Sequence, residues 1–162
     1  MVTAQDVKEF LETLAGLLHE TVEARARLDG QSGDGDLGAS MDSAAGAMAE
    51  TARAEAGADL GMLLMKVAMA CNKAAPSTMG TLVSSGIMAV AKAWKGKEQV
   101  GDAELAAVPR QFADAMMARG KAQVGDKTIL DALVPMAEAV ETEFAQSGDL
   151  AAAFAAGAEA AQ

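Results

Sequence analysis

The sequence has 162 residues, with 13 Lys and Arg against 23 Asp and Glu and a formal net charge of −10. This length is typical of one domain with a sizeable core, so residues 1–162 are expected to form a single domain. A surface this acidic, without a basic block, disfavours nucleic acid and anionic membranes as partners. Hydrophobic residues make up 51% of the chain but aromatic residues only 3%. Long alternating or β-branched stretches are nearly absent, which predicts an all-α fold with a core of Ala, Leu and Met.

Apolar residues recur at helical spacing along most of the chain and predict six or seven antiparallel helices. The approximate ranges are 5–27, 39–56, 60–73, 79–94, 102–119 and 128–144, with a short last helix capped by Asp149. Thr3 and Asp6 form a candidate capping pair for the first helix. Pro109 either restarts or kinks the fifth helix. Gly57 is expected to end the second helix, and the polar turn 95–101 is expected to be an exposed loop.

A glycine-rich segment, residues 29–38 (the carboxylate loop), follows the first predicted helix and carries Asp29, Asp34 and Asp36. Carboxylates this close repel one another unless a cation lies between them, and the glycines of the loop let the backbone aim them at one point. No register of the loop fits an EF-hand, so Mg²⁺ shared with phosphates at the next helix N-terminus is favoured over Ca²⁺. The alternative is a metal-free turn in which Asp36 caps the second helix.

The remaining motifs carry weaker signals. The segment Gly125–Thr128 is similar to the end of a P-loop, but Asp126 separates the glycine from the lysine and no strand precedes it. A helix cap formed by Thr128 or Asp126 is the simpler interpretation. His19 is expected on a helix surface, and the Met-rich third helix in the core. No Ser, Cys or Lys accompanies a base, so no catalytic residue is predicted.

Two motifs together resemble those of the nucleotide-binding L subunit of dihydroxyacetone kinase. The first is Asp29 with Gly33–Met41, and the second is Arg119–Lys121 with Gly125–Pro135, in the same order and at the same spacing as in the family. The resemblance extends over nearly the whole chain. It implies an antiparallel up-and-down barrel of about eight helices, about seven of them present here, with Mg²⁺-bound nucleotide at one end. It favours a metal site in the carboxylate loop over a simple helix cap.

The resemblance also implies a set of ligand contacts. Asp29, Asp34 and Asp36 would ligate Mg²⁺ and bridge the β- and γ-phosphoryl oxygens of ADP or ATP. Where the family has a Gly-Gly-x-Ser-Gly stretch this chain has Asn72–Ser77, so the hydroxyl contact is lost or moves to Ser77 or Thr78. The implied nucleotide contacts fall into three groups. Phosphate contacts are Leu37, Gly38, Ala39 and Ser40 at the start of the second helix, and Ala74, Ala75, Ser77 and Thr78 in the turn between the third and fourth helices. Adenine contacts are Gly120 and Ile129.

The family transfers a phosphoryl group to a small hydroxyketone held on a separate K subunit, and in phosphotransferase-linked systems a third subunit rephosphorylates the bound nucleotide. The resemblance therefore implies a K-type partner and such a phosphoryl donor as a further partner. The lone Cys71, which cannot form an intrachain disulfide, and an N-terminus charged where a signal peptide would be apolar predict a cytoplasmic chain. Without an acceptor-substrate site, the chain is expected to be inactive alone. The family's Gly-Arg-Ala segment, Asp-Pro-Gly loop and last helix have no counterpart after Glu159. Weaker nucleotide binding and self-association, for example as a homodimer, are expected. The alternative function is a non-catalytic helical regulatory or interaction protein.

Overall fold

The computed structural model describes all 162 residues as an all-α fold, as the composition predicts. Nine helices form, with ranges α1 Ala4–Glu20, α2 Val22–Asp29, α3 Leu37–Ala54, α4 Leu60–Ala74, α5 Thr78–Ala93, α6 Asp102–Ala106, α7 Val108–Gly120, α8 Leu130–Ser147 and α9 Leu150–Ala160. The strands β1 (Val2–Thr3) and β2 (Gln99–Val100) pair in a two-stranded sheet. None of the helices is apolar enough over a sufficient length to cross a bilayer.

Two of the seven predicted helices are each broken once, which accounts for the nine segments. The first breaks at Thr21, whose hydroxyl donates to the Leu17 carbonyl at 2.7 Å. The Arg25 guanidinium donates to the Thr21 hydroxyl and to the Leu18 carbonyl. A cationic side chain therefore bonds a carbonyl oxygen left without a helical partner at the C-terminus of α1. The fifth breaks at Ala107, and α7 restarts with Pro109 in its first turn, where the missing N–H costs nothing.

The chain divides into two compact units, residues 2–99 and residues 100–162 with Met1. In the first unit α3 packs against α1, α2 and α4, and α4 packs against α5. Small side chains on α3 let these helices approach closely. The core residues on the two central helices are Ala44, Ala45, Met48, Ala49 and Ala52 from α3 and Leu60, Leu63, Leu64, Val67, Ala68 and Cys71 from α4.

Asp59 fixes the start of α4 and the turn after α5 in the same unit. One of its carboxylate oxygens accepts from the Met62 amide at 3.0 Å and caps α4. The other accepts from the Gly96 amide at 3.1 Å. A single side chain therefore ties together two segments that are far apart in sequence.

The second unit is built on α8, which packs against α7 and α9, with α6 beside α9. Its core cluster centres on Ala106, Val140 and Ala153. Asp149 caps α9 by accepting from the amides of Ala151 at 2.9 Å and Ala152 at 3.1 Å, which confirms the predicted cap. The Arg110 guanidinium contacts the Glu141 carboxylate at 2.9 Å and joins α7 to α8.

Some local predictions are wrong. Met62 and Met69 are 42% and 63% exposed, so the Met side of α4 is not core; the buried face carries Leu and Val instead. The turn 95–101 contains β2, and Val100 within it is fully buried. Helix α3 ends at Ala54, before Gly57, because Glu55 already adopts an extended conformation. Helix α8 begins at Leu130, two residues later than predicted.

Candidate functional site

The carboxylate loop brings its three acidic side chains together. Carboxylate oxygens of Asp29, Asp34 and Asp36 all lie within 4.8 Å of one another. Asp29 is half-buried at the end of α2, whereas Asp34 and Asp36 are exposed. The cluster predicted from the sequence spacing is therefore present in the fold, although the spacing alone did not fix its geometry.

Backbone turns in the loop create this convergence. Gly35 has a φ of +80°, a left-handed conformation that side chains other than glycine rarely adopt, and it reverses the chain between Asp34 and Asp36. The Gly33 amide donates to the Asp29 carbonyl at 2.6 Å. A Cβ at Gly33 would lie 2.8 Å from Oδ1 of Asp29. A side chain at that position would therefore push on the Asp29 carboxylate.

Asp29 also joins the start of the loop to its end. Its Oδ2 accepts from the Leu37 amide at 3.3 Å, which is the first amide of α3. The Asp36 amide donates to Oδ1 of Asp34 at 3.4 Å. Two of the three carboxylates are thus oriented by backbone amides, which leaves their remaining oxygen lone pairs available to a ligand.

The electrostatics of the cluster are unfavourable without a cation. The pKa of Asp36 is raised, mainly by the negative charge of Asp34, with smaller contributions from partial desolvation, a hydrogen bond with Asp34 and the charge of Asp29. Asp36 occupies the N-cap position of α3, but its side chain makes no capping hydrogen bond. Helix capping therefore does not explain this residue, whereas a hard divalent cation would use all three carboxylates.

The first turn of α3 lies directly beside the carboxylates and contains the predicted residues Leu37, Gly38, Ala39 and Ser40. Gly38 is buried against α2: a Cβ there would overlap the Val22 carbonyl oxygen and lie 3.1 Å from the Ala26 amide nitrogen. The Ser40 amide closes the first helical bond, to the Asp36 carbonyl at 2.9 Å. The amides of Gly38 and Ala39 precede that bond and have no acceptor within the helix, so this turn is suited to an anion.

The turn between α4 and α5 contains Ala74, Ala75, Ser77 and Thr78. Ala75 is buried, and a Cβ on Gly80 would overlap its carbonyl oxygen, so this close approach requires glycine. Ser77 caps α5 by accepting from the Gly80 amide at 3.1 Å. Thr78 is exposed. Ala75 and Ser77 therefore have structural roles in the turn, whatever they contribute to a ligand.

Gly120 and Ile129 belong to the second unit, where they flank the loop between α7 and α8 (residues 121–129, the second loop). Gly120 is exposed at the end of α7, and Ile129 is 40% exposed. Thr128 accepts from the Leu130 amide at 3.2 Å, close to its predicted capping role. Asp126 accepts from the Gln123 amide at 2.9 Å inside the loop and does not cap α8.

Sequence reasoning missed the role of Asp131 in this loop. Its two carboxylate oxygens accept from the Gly125 amide at 2.6 Å and the Thr128 amide at 2.8 Å. These two hydrogen bonds hold the pKa of Asp131 below its ordinary value. The only signal in the sequence was the three-residue spacing from Thr128 to Asp131, which is also the spacing of a common helix start.

Comparison with known proteins decides the family. The model of the DAK2 domain matches residues 31–162. The chain belongs to the DAK2 domain family. The resemblance drawn from the carboxylate loop and the Gly125–Pro135 motif is thereby confirmed.

Several relatives with kinase names are similar to this DAK2 domain. The ADP-binding subunit DhaL of the PEP-dependent dihydroxyacetone kinase of Escherichia coli is 30% identical over 120 residues, covering 74% of this chain and 57% of that subunit. The ADP-binding subunit DhaL of the PTS-dependent dihydroxyacetone kinase of Lactococcus lactis is 31% identical over 153 residues, covering 93% and 76%. The D-erythrulose kinase of Mycolicibacterium smegmatis is 32% identical over 161 residues, covering 98% and 28%. The chain thus spans a little over half of the first relative and about a quarter of the last.

Proposed function

We propose that this DAK2 domain is a nucleotide-binding kinase subunit that holds ADP or ATP with Mg²⁺ for phosphoryl transfer to a small hydroxyketone. The observation that carries the proposal is the cluster of Asp29, Asp34 and Asp36, whose oxygens converge within 4.8 Å. The raised pKa of Asp36 supports it, because an electrostatic conflict of this kind is what a bound divalent cation relieves. The nucleotide and the kinase activity in the proposal are supported by the names of two relatives, which are ADP-binding subunits of dihydroxyacetone kinases.

The donor set fits Mg²⁺. Carboxylate oxygens are its preferred protein ligands, and it commonly binds through one or two carboxylates together with phosphate oxygens and water. When bound, the ion would neutralise charge on the β- and γ-phosphoryl oxygens. Asp29, Asp34 and Asp36 would hold it, with Asp29 fixed in place by its hydrogen bond from the Leu37 amide.

The protein would hold the nucleotide through two kinds of contact. The free amides of Gly38 and Ala39 at the start of α3, with Leu37 and Ser40 beside them, would donate to phosphate oxygens. Ala74, Ala75, Ser77 and Thr78 are proposed as a further phosphate contact, and Ser77 keeps a hydroxyl hydrogen to donate while its oxygen caps α5. Gly120 and Ile129 are proposed as contacts of the adenine.

Partner subunits are part of the same proposal. The described residues include no nucleophile paired with a base, so the acceptor hydroxyketone would be held on a K-type subunit. Two relatives are named as PEP-dependent and PTS-dependent, which supports a phosphotransferase subunit as the source of the phosphoryl group. A non-catalytic regulatory protein is the outcome if nucleotide does not bind.

Calorimetric titration with ADP, with and without Mg²⁺, tests the proposal. We expect ADP to bind only weakly without Mg²⁺, and Asp34→Asn to lower the affinity for ADP with Mg²⁺ by at least about tenfold, since a charged ligand contact is worth about 1.5–3 kcal/mol. Asp42→Asn is the matched control. It also removes one carboxylate charge, but at a residue of α3 outside the carboxylate loop, whose carboxylate lies 3.2 Å from the His19 ring. Equal binding by the wild type and Asp34→Asn would contradict the metal assignment.

A further inference from the structure

Charge is unevenly distributed along the chain. Residues 60–97, which form α4, α5 and the turn after α5, contain five lysines and neither aspartate nor glutamate. All 23 acidic residues lie elsewhere, and the whole chain has a net charge of −10. Because salt screens charges beyond about 10 Å at 0.1 M, this segment presents a positive local potential in spite of the net charge.

One exposed face of α4 combines this positive charge with apolar side chains. Met62, Lys66, Met69 and Lys73 follow one another at intervals of four, three and four residues, which places them on one side of the helix. Met62 is 42% exposed and Met69 63%, and both lysines are exposed. At 1.5 Å per residue, these four residues (the α4 face) extend over about 16 Å.

Two lysines without acidic partners lie at the ends of the α4 face. Lys66, in its middle, forms an ion pair with Glu55. Lys73, at the C-terminal end, is exposed and forms no ion pair. Gly61 brings the exposed and likewise unpaired Lys95 beside the N-terminal end, since a Cβ at Gly61 would lie 2.5 Å from the Lys95 Cα. Both ammonium groups are therefore available to carboxylates of another molecule.

The methionines give the α4 face an adaptable apolar surface. Methionine is unbranched and polarizable, so its side chain adjusts to the shape of an apolar partner, and it is common on surfaces that bind amphipathic helices. Met62 and Met69 are seven residues apart, which is two helical turns. This is also the spacing at which an amphipathic helix repeats its apolar residues.

We propose that the α4 face binds an acidic amphipathic helix of a partner protein. Leucine or methionine side chains of that helix would pack against Met62 and Met69, and its glutamate or aspartate side chains would pair with Lys73 and Lys95. The α4 face lies outside the residues proposed to bind Mg²⁺ and nucleotide, so this inference does not depend on the proposed function.

Two other occupants fit the charges of the chain less well. A symmetric contact between two copies through the α4 face would place lysine against lysine. A flat anionic membrane would meet not only this face but also the rest of the chain, which carries all 23 acidic residues. A single helix covers the α4 face alone and avoids both conflicts.

Fluorescence anisotropy with a labelled synthetic peptide tests the proposal, in the absence of nucleotide and Mg²⁺. The peptide is a helix with leucines at i, i+3, i+4 and i+7 and glutamates at its other positions, and a second peptide has lysines in place of the glutamates. We expect the wild type to bind the glutamate peptide at least about tenfold more tightly than the lysine peptide. This binding should weaken as salt is raised from about 0.05 to 0.2 M.

Two variants remove the two kinds of contact separately. Met69→Ser removes an apolar contact, and the double substitution Lys73→Glu with Lys95→Glu reverses the two unpaired charges. All three side chains are exposed, so the fold is retained. Each variant should weaken binding of the glutamate peptide at least about tenfold.

Matched controls change the same chemistry on other helices. Phe10→Ser removes a side chain that is 63% exposed on α1. Arg27→Glu with Arg119→Glu reverses two exposed charges on α2 and α7. Both controls should bind the glutamate peptide within about twofold of the wild type.

Several outcomes would overturn the inference. They are failure of the wild type to bind the glutamate peptide, equal binding of the two peptides, and unchanged binding by Met69→Ser and by the double lysine variant. Binding to vesicles of equal parts phosphatidylserine and phosphatidylcholine that is lost in Met69→Ser would assign the α4 face to a membrane instead. Self-association in sedimentation that is lost in Met69→Ser would assign it to a second copy.

Discussion

Gly38 shows how a single residue sets the position of the carboxylate loop. Its missing side chain lets the start of α3 lie against Val22 and Ala26 of α2, and α2 ends in Asp29. Any Cβ at this position meets backbone atoms, which cannot move aside as a flexible side chain would. The packing of two helices and the placement of one proposed metal ligand therefore depend on the same glycine.

Gly38→Ala should destabilise the protein by about 1–3 kcal/mol, because overpacking a close helix contact forces the backbone apart. Gly46→Ala is the matched control within α3: a Cβ there has no neighbour within 4 Å. This change should stabilise the protein by about 0.5–1 kcal/mol, since alanine is the better helix former. Urea unfolding measures both, and equal effects of the two substitutions would contradict the role given to Gly38.

Asp34→Asn should leave the metal-free protein as stable as the wild type or slightly more stable. The raised pKa of Asp36 means that the folded state disfavours its charge, so the wild type gains stability as the pH falls through that raised pKa. Removing the Asp34 charge removes the largest cause of the shift. Melting curves in the presence of a chelator check this, and a clear loss of stability in Asp34→Asn would show a structural role for the charge.

At the scale of elements, periodicity predicted the helices well and their breaks poorly. The apolar pattern of the first helix continues through Val22, so nothing in it marks the break at Thr21. The break is a tertiary effect that allows α2 to pack beside Gly38. Helical spacing predicts Met62 and Met69 in the core, but the helices that cover α4 lie on its Leu and Val side.

Some features of the candidate site were likewise predictable from the sequence, and others were not. Asp29, Asp34 and Asp36 lie within eight residues of one another, so their convergence was predictable from local sequence and glycine content. The lack of a capping bond from Asp36 was not, because it goes with a helical backbone at this position (φ −88°, ψ −10°), where a capping residue is normally extended. The role of Asp131 was missed because it requires a left-handed Lys127, a conformation that no residue pattern specifies.

The stability of the protein should depend on pH through Asp131, which holds the second loop by two hydrogen bonds. A lowered pKa in the folded state means that Asp131 adds stability above its unfolded pKa of about 3.9, and that this contribution is lost as the pH falls through the folded value. Asp131→Asn should therefore melt below the wild type at about pH 7, and the difference should shrink as the pH is lowered below about 3.9. Calorimetric melting temperatures across this range test the prediction, and a difference that persists undiminished in acid would contradict it.

At the scale of the whole molecule, the chain carries the proposed phosphate and metal contacts but no nucleophile paired with a base. Its one histidine, His19, is exposed and lies 3.2 Å from the Asp42 carboxylate. Its one cysteine, Cys71, is buried, and desolvation raises the pKa of the thiol, which makes it a poor nucleophile. The net charge of −10 would in addition repel a second anionic substrate unless a cation or a partner neutralises it.

The purified chain should therefore phosphorylate nothing by itself. Phosphoryl transfer requires a positioned nucleophile as well as charge neutralisation, and only the second is proposed for this chain. Mixed with a cognate K-type subunit and dihydroxyacetone, it should give phosphorylation that depends on Mg²⁺ and ATP. In that mixture Asp36→Asn should abolish turnover without preventing folding, whereas Asp42→Asn should leave it unchanged. Turnover by the chain alone with Mg²⁺, ATP and dihydroxyacetone would refute the proposal that the acceptor is held on a partner subunit. No turnover with any K-type subunit would favour a regulatory protein.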